Sequence, residues 1–600
     1  MPDPTLSLDE ARERVLQQMH MLVKDGYPAK GFRQSHGGSG DVGGSVTSFE
    51  MLAYADLSLM VMAGVQWGLF GGAIENLGTK PHHDAYVEPL INLDLVGCFA
   101  MTETGHGSDV QQLETTATYD ARTQEFVVHS PTPSARKDYI GGAAEHATMA
   151  AVFAQLLTNG EGHGVHCLLV PIRDDQGQDL PGVTTADCGV KGGLAGVDNG
   201  RIVFDQVRVP RANLLNRYAD VAADGTYSSE IENPNRRFFT MLGTLIRGRV
   251  SVGGAGGAAA RVGLAIATRY ALRRSQFSAP GSDDEVLIMD YLVHQRRLLP
   301  LIAKSYALQF AQNELVASLH EIQTVDAPAA QVQRELEGRA AGLKVANTWH
   351  ATHAIQESRE ACGGAGYLAE NRLTILKADS DVFTTFEGDN HVLTQLVAKE
   401  LLTAYADEVR GLDPLGMVRF AAATVADVVM ERTAAQALIQ RLVDATSGSD
   451  EDDLLERGTQ LSMFEDREKH VLETAARRLR RASKDGADAF EVFNNAQDHV
   501  VRAGRVHIDR VILEAFVAGI DACTDPAAKE MLGTVCDLYA LSVIEEDKAW
   551  FMEHNRLSTA RAKEVTNLVS DLCKKLRPHA AVLVEGFGIP ESMLGAAMLD

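Results

Sequence analysis

The chain has 600 residues, more than one hydrophobic core ordinarily organises, so three or four structural units are expected. A content of 45% hydrophobic and 23% charged residues is ordinary for a globular protein and excludes a disordered or fibrous chain. The formal net charge of −25 argues against nucleic acid as a partner, because no overall basic field would gather phosphates, but it leaves room for an anionic small molecule on a local patch such as Arg247 and Arg249.

Residues 1–92 read as a helical domain. Ser7 is a helix start signal, apolar residues then recur at helical spacing, and Gly26 is a stop. Gly38, Gly40 and Gly43 spell G-x-G-x-x-G, but no buried strand precedes them, so the dinucleotide-fold reading is set aside. Residues 93–212 change to short alternating runs such as EFVVHS and RIVFDQVRVP, the texture of a small antiparallel β domain. Asp198-Asn199-Gly200 there reads as a tight hairpin turn.

Residues 235–405 return to helix. Gly253, Gly254, Gly256 and Gly257 fall inside one predicted helix, where each costs up to about 1 kcal/mol relative to alanine, so close helix-to-helix approach is expected to compensate. At the end of this region Glu387 sits where a loop enters an apolar helix carrying Val392, Leu393, Leu396, Val397 and Leu401. Residues 410–600 read as a further helical domain, with apolar periodicity in 416–443 and an acidic linker at 447–453.

Seven cysteines are scattered without any Cys-x-x-Cys pair, so neither a zinc centre nor a disulfide framework is expected, and the compartment reads as reducing. The pairs His82-His83, His163/His166 and His350/His353 lack a third ligand in a convincing pattern, so no metal is expected. The N-terminus MPDPTLSLDEARERV lacks a charged-then-apolar leader, and no uncharged apolar run of about 18 residues is read, so no membrane span is expected.

Five blocks, in order, resemble the acyl-CoA oxidases, a branch of the acyl-CoA dehydrogenase superfamily. They are CFAMTETGHGSDVQQLETTATYD (Cys98 to Asp120), GVKGGLAGVDNGRIVFDQVRVPRANLL (Gly189 to Leu215), YALRRSQF (Tyr270 to Phe277), ACGGAGY (Ala361 to Tyr367) and TTFEGDN (Thr384 to Asn390). The resemblance covers roughly residues 40–405. It implies a mostly α fold with a small central antiparallel β domain, of the α domain, β domain, α bundle kind, plus the extra C-terminal helical domain that the oxidases have and the dehydrogenases lack.

The implied reaction is oxidation of a fatty acyl-CoA to the trans-2-enoyl-CoA with FAD as cofactor and dioxygen as acceptor, giving hydrogen peroxide. The alternatives are a dehydrogenase that passes electrons to an electron-transfer flavoprotein and a catalytically silent acyl-CoA-binding flavoprotein. By the resemblance Glu387 is the base that removes the α proton, and desolvation by substrate is expected to raise its pKa. Its backbone N–H would polarise the thioester oxygen.

Thr102 and Gly141 match positions beside the flavin. Arg274 matches the arginine that pairs with the flavin pyrophosphate, in many members across a subunit boundary, and Gln276 and Phe277 adjoin it. Gly363 and Gly364 resemble the loop near the partner's adenosine diphosphate, and Asp389 follows the base. Ser108 and Arg249 are the substrate-binding candidates, Arg249 for the CoA adenine. Lys137 is followed by Asp138 and Tyr139 where the oxidases usually place an aromatic pair, so stacking near the flavin is expected to differ. The family implies a homodimer at least. The end AAMLD differs from the Ser-Lys-Leu address, which favours a bacterial cytoplasm, or import by other means.

Overall fold

The computed structural model describes residues 1–243, 246–323, 330–410, 436–446, 452–484 and 488–600. They form two compact units, Met1–Ala255 and Gly256–Asp600.

The first unit opens with α1 (Leu8–Lys24), which starts where its sequence says it must. Ser7 and Glu10 make a reciprocal capping box, satisfying two orphan N–H groups of the first turn, and Gly26 leaves the helix at φ +68°. Gly43 lies inside α2 (Val42–Ala55), preceded by 3₁₀ turns rather than a strand. Next come α3 (Leu57–Ala63), a π-helical turn (Gly64–Phe70), α4 (Gly71–Leu77) and α5 (Lys80–Ile91). Leu57–Leu77 forms one helical run long and apolar enough to cross a membrane, so the expectation of no such run fails over residues 57–74. A second, Arg247–Ala271, passes the same test; their apolar windows are 67% and 100% buried, as in core helices.

The β region holds β1 (Gly97–Ala100), β2 (Thr116–Asp120), β3 (Glu125–His129), β4 (Lys137–Gly141), β5 (Met149–Thr158), β6 (Glu161–Pro171), β7 (Val183–Asp187), β8 (Asn199–Phe204) and β9 (Val207–Pro210). β5 takes β6 antiparallel along one edge and, on the other, β1 and β2 in parallel. The remaining ladders of this region are antiparallel, β2–β3–β9 and β4–β8–β7. β5 is buried almost end to end, as a strand covered on both faces must be, whereas β2, β3 and β8 alternate. Asp198-Asn199-Gly200 is no hairpin turn: β8 begins at Asn199, and the buried Asp198 carboxylate accepts the N–H groups of Glu145 and His146.

His166 on β6 is packed between the Gly164 carbonyl and the Tyr227 hydroxyl, and burial holds its pKa down to about 3. Its unfolded value is near 6.5, so below that pH the unfolded chain takes up a proton the folded unit refuses. Stability present above pH 6.5 is therefore lost as pH falls toward 3, by up to about 1.4 kcal/mol per pH unit. Hydrogen exchange of β6 amides, followed from pH 7 to 5, should show this slope, and a His166→Phe variant should flatten it.

After α6 (Pro234–Gly243), α7 (Arg247–Ala271) begins in the first unit and continues in the second, where it is followed by a hairpin of β10 (Ser275–Ser278) and β11 (Glu285–Leu287), then α8 (Leu292–Gln323), α9 (Ala330–Ala361), α10 (Leu373–Asp381) and α11 (Asn390–Arg410). The glycine expectation holds at Gly257, where a Cβ would stand 2.8 Å from Asn347 Oδ1 on α9. Further helices are α12 (Gln436–Asp444), α13 (Arg457–Lys484), α14 (Ala489–Asn494), α15 (Gln497–Ala522), α16 (Pro526–Glu546), α17 (Lys548–Glu553), α18 (Thr559–Leu576) and α19 (Ala580–Glu585). Most of the periodic stretch 416–443 and of the acidic linker lies outside the described residues. α15 packs directly on α8, α9 and α11, so one core runs through residues read as two domains. At its crossing with α11 a Cβ on Gly504 would meet the Thr394 carbonyl at 2.6 Å. α15 is tied to α13 by a fully buried Glu468 carboxylate that His507 and Arg510 both contact.

Candidate active site

In the first unit Thr102 lies just beyond β1, half-buried, its carbonyl accepting Asp138 N–H at 3.1 Å. Beneath it is a buried ion pair. Lys137 Nζ donates to Glu103 Oε1 at 2.9 Å, to the Met101 carbonyl at 3.0 Å and to the Phe153 carbonyl at 2.7 Å, and both charged side chains are fully buried. Glu103 also accepts the N–H groups of Glu114 and Thr115. Burial lowers the Lys137 pKa to about 8, with Glu103 opposing, so the ammonium keeps its proton at neutral pH. The loop that follows exposes Ser108.

The departure after Lys137 has a structural reading. Asp138 is buried and held by Thr104, Arg136 and Arg201, while Tyr139 is 65% exposed with φ +64°. Gly141 is buried, and a Cβ there would press on Val65 Cγ2 at 2.9 Å, so its smallness serves packing against Val65. The basic patch is reduced by half. Arg247 donates to the Gly31 carbonyl at 2.8 Å and faces the buried Glu75 carboxylate at 3.9 Å, whereas half-buried Arg249 has no ion-pair partner among the described residues.

In the second unit Glu387 stands three residues before α11, half-buried, with φ +55°. Gly388 follows at φ +99°, and a Cβ there would strike Leu393 Cδ2 at 2.7 Å. Asp389 Oδ1 accepts the N–H groups of His391 (2.9 Å) and Val392 (3.2 Å), so Asp389, rather than Glu387, caps α11. From below, buried Lys344 on α9 donates to the Gly388 carbonyl at 2.6 Å and to Asn390 Oδ1 at 3.0 Å.

Arg274 and Phe277 are exposed on the β10 hairpin, and the Gln276 carbonyl accepts a hydrogen bond from the Tyr291 hydroxyl at 2.8 Å. Gly363 and Gly364 are exposed, with nothing within 4 Å of a Cβ at either. Their loop and the Arg273–Arg274 turn are brought to one segment, Glu591–Asp600. Asn371 takes Met598 N–H on Oδ1 at 2.8 Å and gives Nδ2 to the Ala365 carbonyl at 2.9 Å; Arg372 reaches the Met593 carbonyl and Arg273 the Leu599 carbonyl. Sequence reasoning missed this segment and missed Lys344, because nothing local to either signals a partner some hundreds or tens of residues away. The glycine loop and Glu387 lie beyond opposite ends of α10, nine residues or about 14 Å long.

Five of the six histidines of the three pairs have structural partners, and His353 is exposed. His82 caps α5 through Thr79, His83 bonds the Glu75 carbonyl, His163 stacks on Tyr227 and His350 meets Ser305 at 2.8 Å. Glu103, His106 and Glu114 come close enough to share a cation, but their carboxylates already serve Lys137, backbone N–H groups, Thr132 and Ser134.

This arrangement of β region and helical bundle, with residues 98–207 matching the acyl-CoA dehydrogenase middle domain, defines the acyl-CoA dehydrogenase class of fold. Residues 242–402 match the acyl-CoA oxidase C-alpha1 domain and residues 457–598 the acyl-CoA oxidase domain. Peroxisomal acyl-coenzyme A oxidase 3 of Arabidopsis thaliana is 38% identical over 596 residues, 99% of this chain and 84% of the relative. The crystal structure of acyl-CoA oxidase 3 from Yarrowia lipolytica aligns with a TM-score of 0.86 at 30% identity, covering 99% of this chain and 83% of that one. That of acyl-CoA oxidase-2 from Caenorhabditis elegans, bound with FAD, ascaroside-CoA and ATP, aligns with a TM-score of 0.82 at 25% identity, covering 100% and 84%. The chain belongs to the acyl-CoA oxidase family.

One expectation is corrected by these relatives. Those from Arabidopsis thaliana and a Homo sapiens relative at 33% identity are named peroxisomal, which points to peroxisomes and away from a bacterial cytoplasm. The end AAMLD was weak ground for that location, since a terminal tripeptide is a receptor-read address and no part of the fold.

The exposed residues of the second unit suit FAD. An exposed guanidinium at Arg274 with no ion-pair partner among the described residues, open glycine backbone at Gly363 and Gly364, and aromatic faces at Phe277 (76% exposed) and Tyr367 (74% exposed) suit a diphosphate and a flat base.

Proposed function

We infer that this chain oxidises a fatty acyl-CoA to the trans-2-enoyl-CoA with dioxygen as acceptor, and that Glu387 is the base that removes the α proton. The activity follows from family membership over nearly the whole chain, which favours an oxidase over the dehydrogenase and silent-subunit alternatives. The observation that supports the role of Glu387 is its place: a half-buried carboxylate on a left-handed turn directly ahead of α11, with the capping work done by Asp389 instead. When bound, FAD would supply the redox chemistry, a hydride acceptor for the β carbon and an electron donor for the reduction of dioxygen to hydrogen peroxide.

Every other role falls to the chain. Glu387 takes the α proton onto its carboxylate, and its backbone N–H steadies the thioester oxygen as negative charge grows there. Thr102 and the backbone at Gly141 would hold the flavin edge, with Thr102 kept in place by the Lys137–Glu103 pair. Arg249 would bind the CoA adenine end, and Ser108 would contact substrate. Arg274, Gln276, Phe277, Gly363 and Gly364 would hold FAD as a group, and the family's usual arrangement makes that FAD the one in a second copy, hence a homodimer. Asp389 would act beside FAD only through the oxygen its cap leaves over.

Two measurements follow. Purified protein should be yellow, bleach when palmitoyl-CoA is added without air, and on readmitting air form one hydrogen peroxide per enoyl-CoA. Bleaching that air does not reverse, but an electron-transfer flavoprotein does, would make the chain a dehydrogenase. Asn371→Ala, which cuts the link between Met598 and the glycine loop, should raise the FAD dissociation constant about tenfold by flavin fluorescence, the equivalent of about 1.4 kcal/mol.

A further inference from the structure

We propose that Lys344 is the positioning residue that sets the catalytic turn, holding Glu387 in the one backbone conformation from which it reaches the α carbon. This rests on Glu387 being the base. A non-glycine residue at φ +55° is strained and persists only where its surroundings over-determine it. Gly388 follows at φ +99°, a conformation that glycine supplies without strain, so the strain of the turn sits on Glu387.

What over-determines the turn comes from two sides. On one, Leu393 closes against Gly388 so tightly that no Cβ fits. On the other, the Lys344 ammonium grips the Gly388 carbonyl at 2.6 Å and Asn390 Oδ1 at 3.0 Å, fixing the peptide plane that follows Gly388. Asn390 Nδ2 in turn donates to Thr348 Oγ1 at 3.0 Å, and that hydroxyl donates to the Lys344 carbonyl at 2.8 Å. Lys344, Thr348 and Asn390 are all buried, so the two ends of the turn are bolted to one stretch of α9. To the Gly388 carbonyl and Asn390 Oδ1 the buried ammonium is a donor of fixed position and strong pull, which a shorter neutral side chain cannot supply.

The test uses the FAD-loaded protein and a 3-thiaacyl-CoA, which has α protons to lose but no β hydrogen to pass on, so exchange of its α protons with deuterated water reports the base alone. Lys344→Met should slow this exchange about a hundredfold, the cost of a base displaced by about 1 Å, while FAD and CoA-ligand dissociation constants stay within about threefold of the parent. Exchange within about threefold of the parent in folded, FAD-loaded Lys344→Met overturns the proposal, as does a loss of FAD binding that matches the loss of exchange. Should Lys344→Met not fold, Asn390→Ala, which removes one of the two acceptors, carries the test: a fall of about tenfold supports the role and unchanged exchange overturns it. Glu387→Gln separates the two readings. Exchange that survives it refutes the base assignment, and this role with it; exchange lost in Glu387→Gln but intact in Lys344→Met refutes the role of Lys344 only.

Discussion

Glu387→Gln should slow anaerobic flavin reduction by palmitoyl-CoA about a thousandfold or more, with FAD still bound and the affinity for acyl-CoA little changed. Glutamine has the same length and shape, so the left-handed turn, the Asp389 cap and the Lys344 grip should all persist. What it lacks is a site to accept the proton, and a positioned general base is typically worth about 10²–10⁴ in rate. Stopped-flow absorbance of the flavin band reads the rate directly. A variant that reduces at a near-parental rate would take the base role away from this residue, whereas a variant that loses FAD would show that the turn had collapsed.

The second large effect lies under Thr102. Lys137→Met should destabilise the first unit by about 3–5 kcal/mol, because it leaves the Glu103 carboxylate fully buried with two backbone N–H donors and the His106 ring at 3.8 Å where it had an ammonium as well. The Met101 and Phe153 carbonyls lose their donor in the same stroke. Replacing both partners, Lys137→Met with Glu103→Leu, should recover much of the loss, since no charge is then stranded. Denaturant unfolding followed by β-sheet amide exchange measures both variants. A single variant costing less than about 1 kcal/mol would mean that water reaches Glu103.

Much of this was readable from local pattern, and what was not has a common cause. α1 follows from Ser7, Glu10 and helical spacing, all within a few residues of one another. The glycines of α7 signalled a close crossing, and Asn347 is what they admit. Glu387 stood out only through the family motif around it; its left-handed backbone is invisible in the letters. The parallel pairing of β5 with β1 and β2 could not be read from alternation, because a strand covered on both faces shows none. Asp198-Asn199-Gly200 has turn chemistry but serves two amides near residue 145, and Arg247 reads as a free cation until Glu75 arrives from another helix. Each of these depends on a partner distant in sequence. The same holds for the hold of Glu591–Asp600 on the glycine loop.

The most direct measurement is a crystal structure of the FAD-loaded protein, Glu387→Gln to halt turnover, with a bound straight-chain acyl-CoA. The side-chain terminus of residue 387 should lie about 3–3.5 Å from the α carbon, across the substrate from the flavin ring. A terminus turned to solvent, or an α carbon lying closer to some other carboxylate or histidine, would contradict the account.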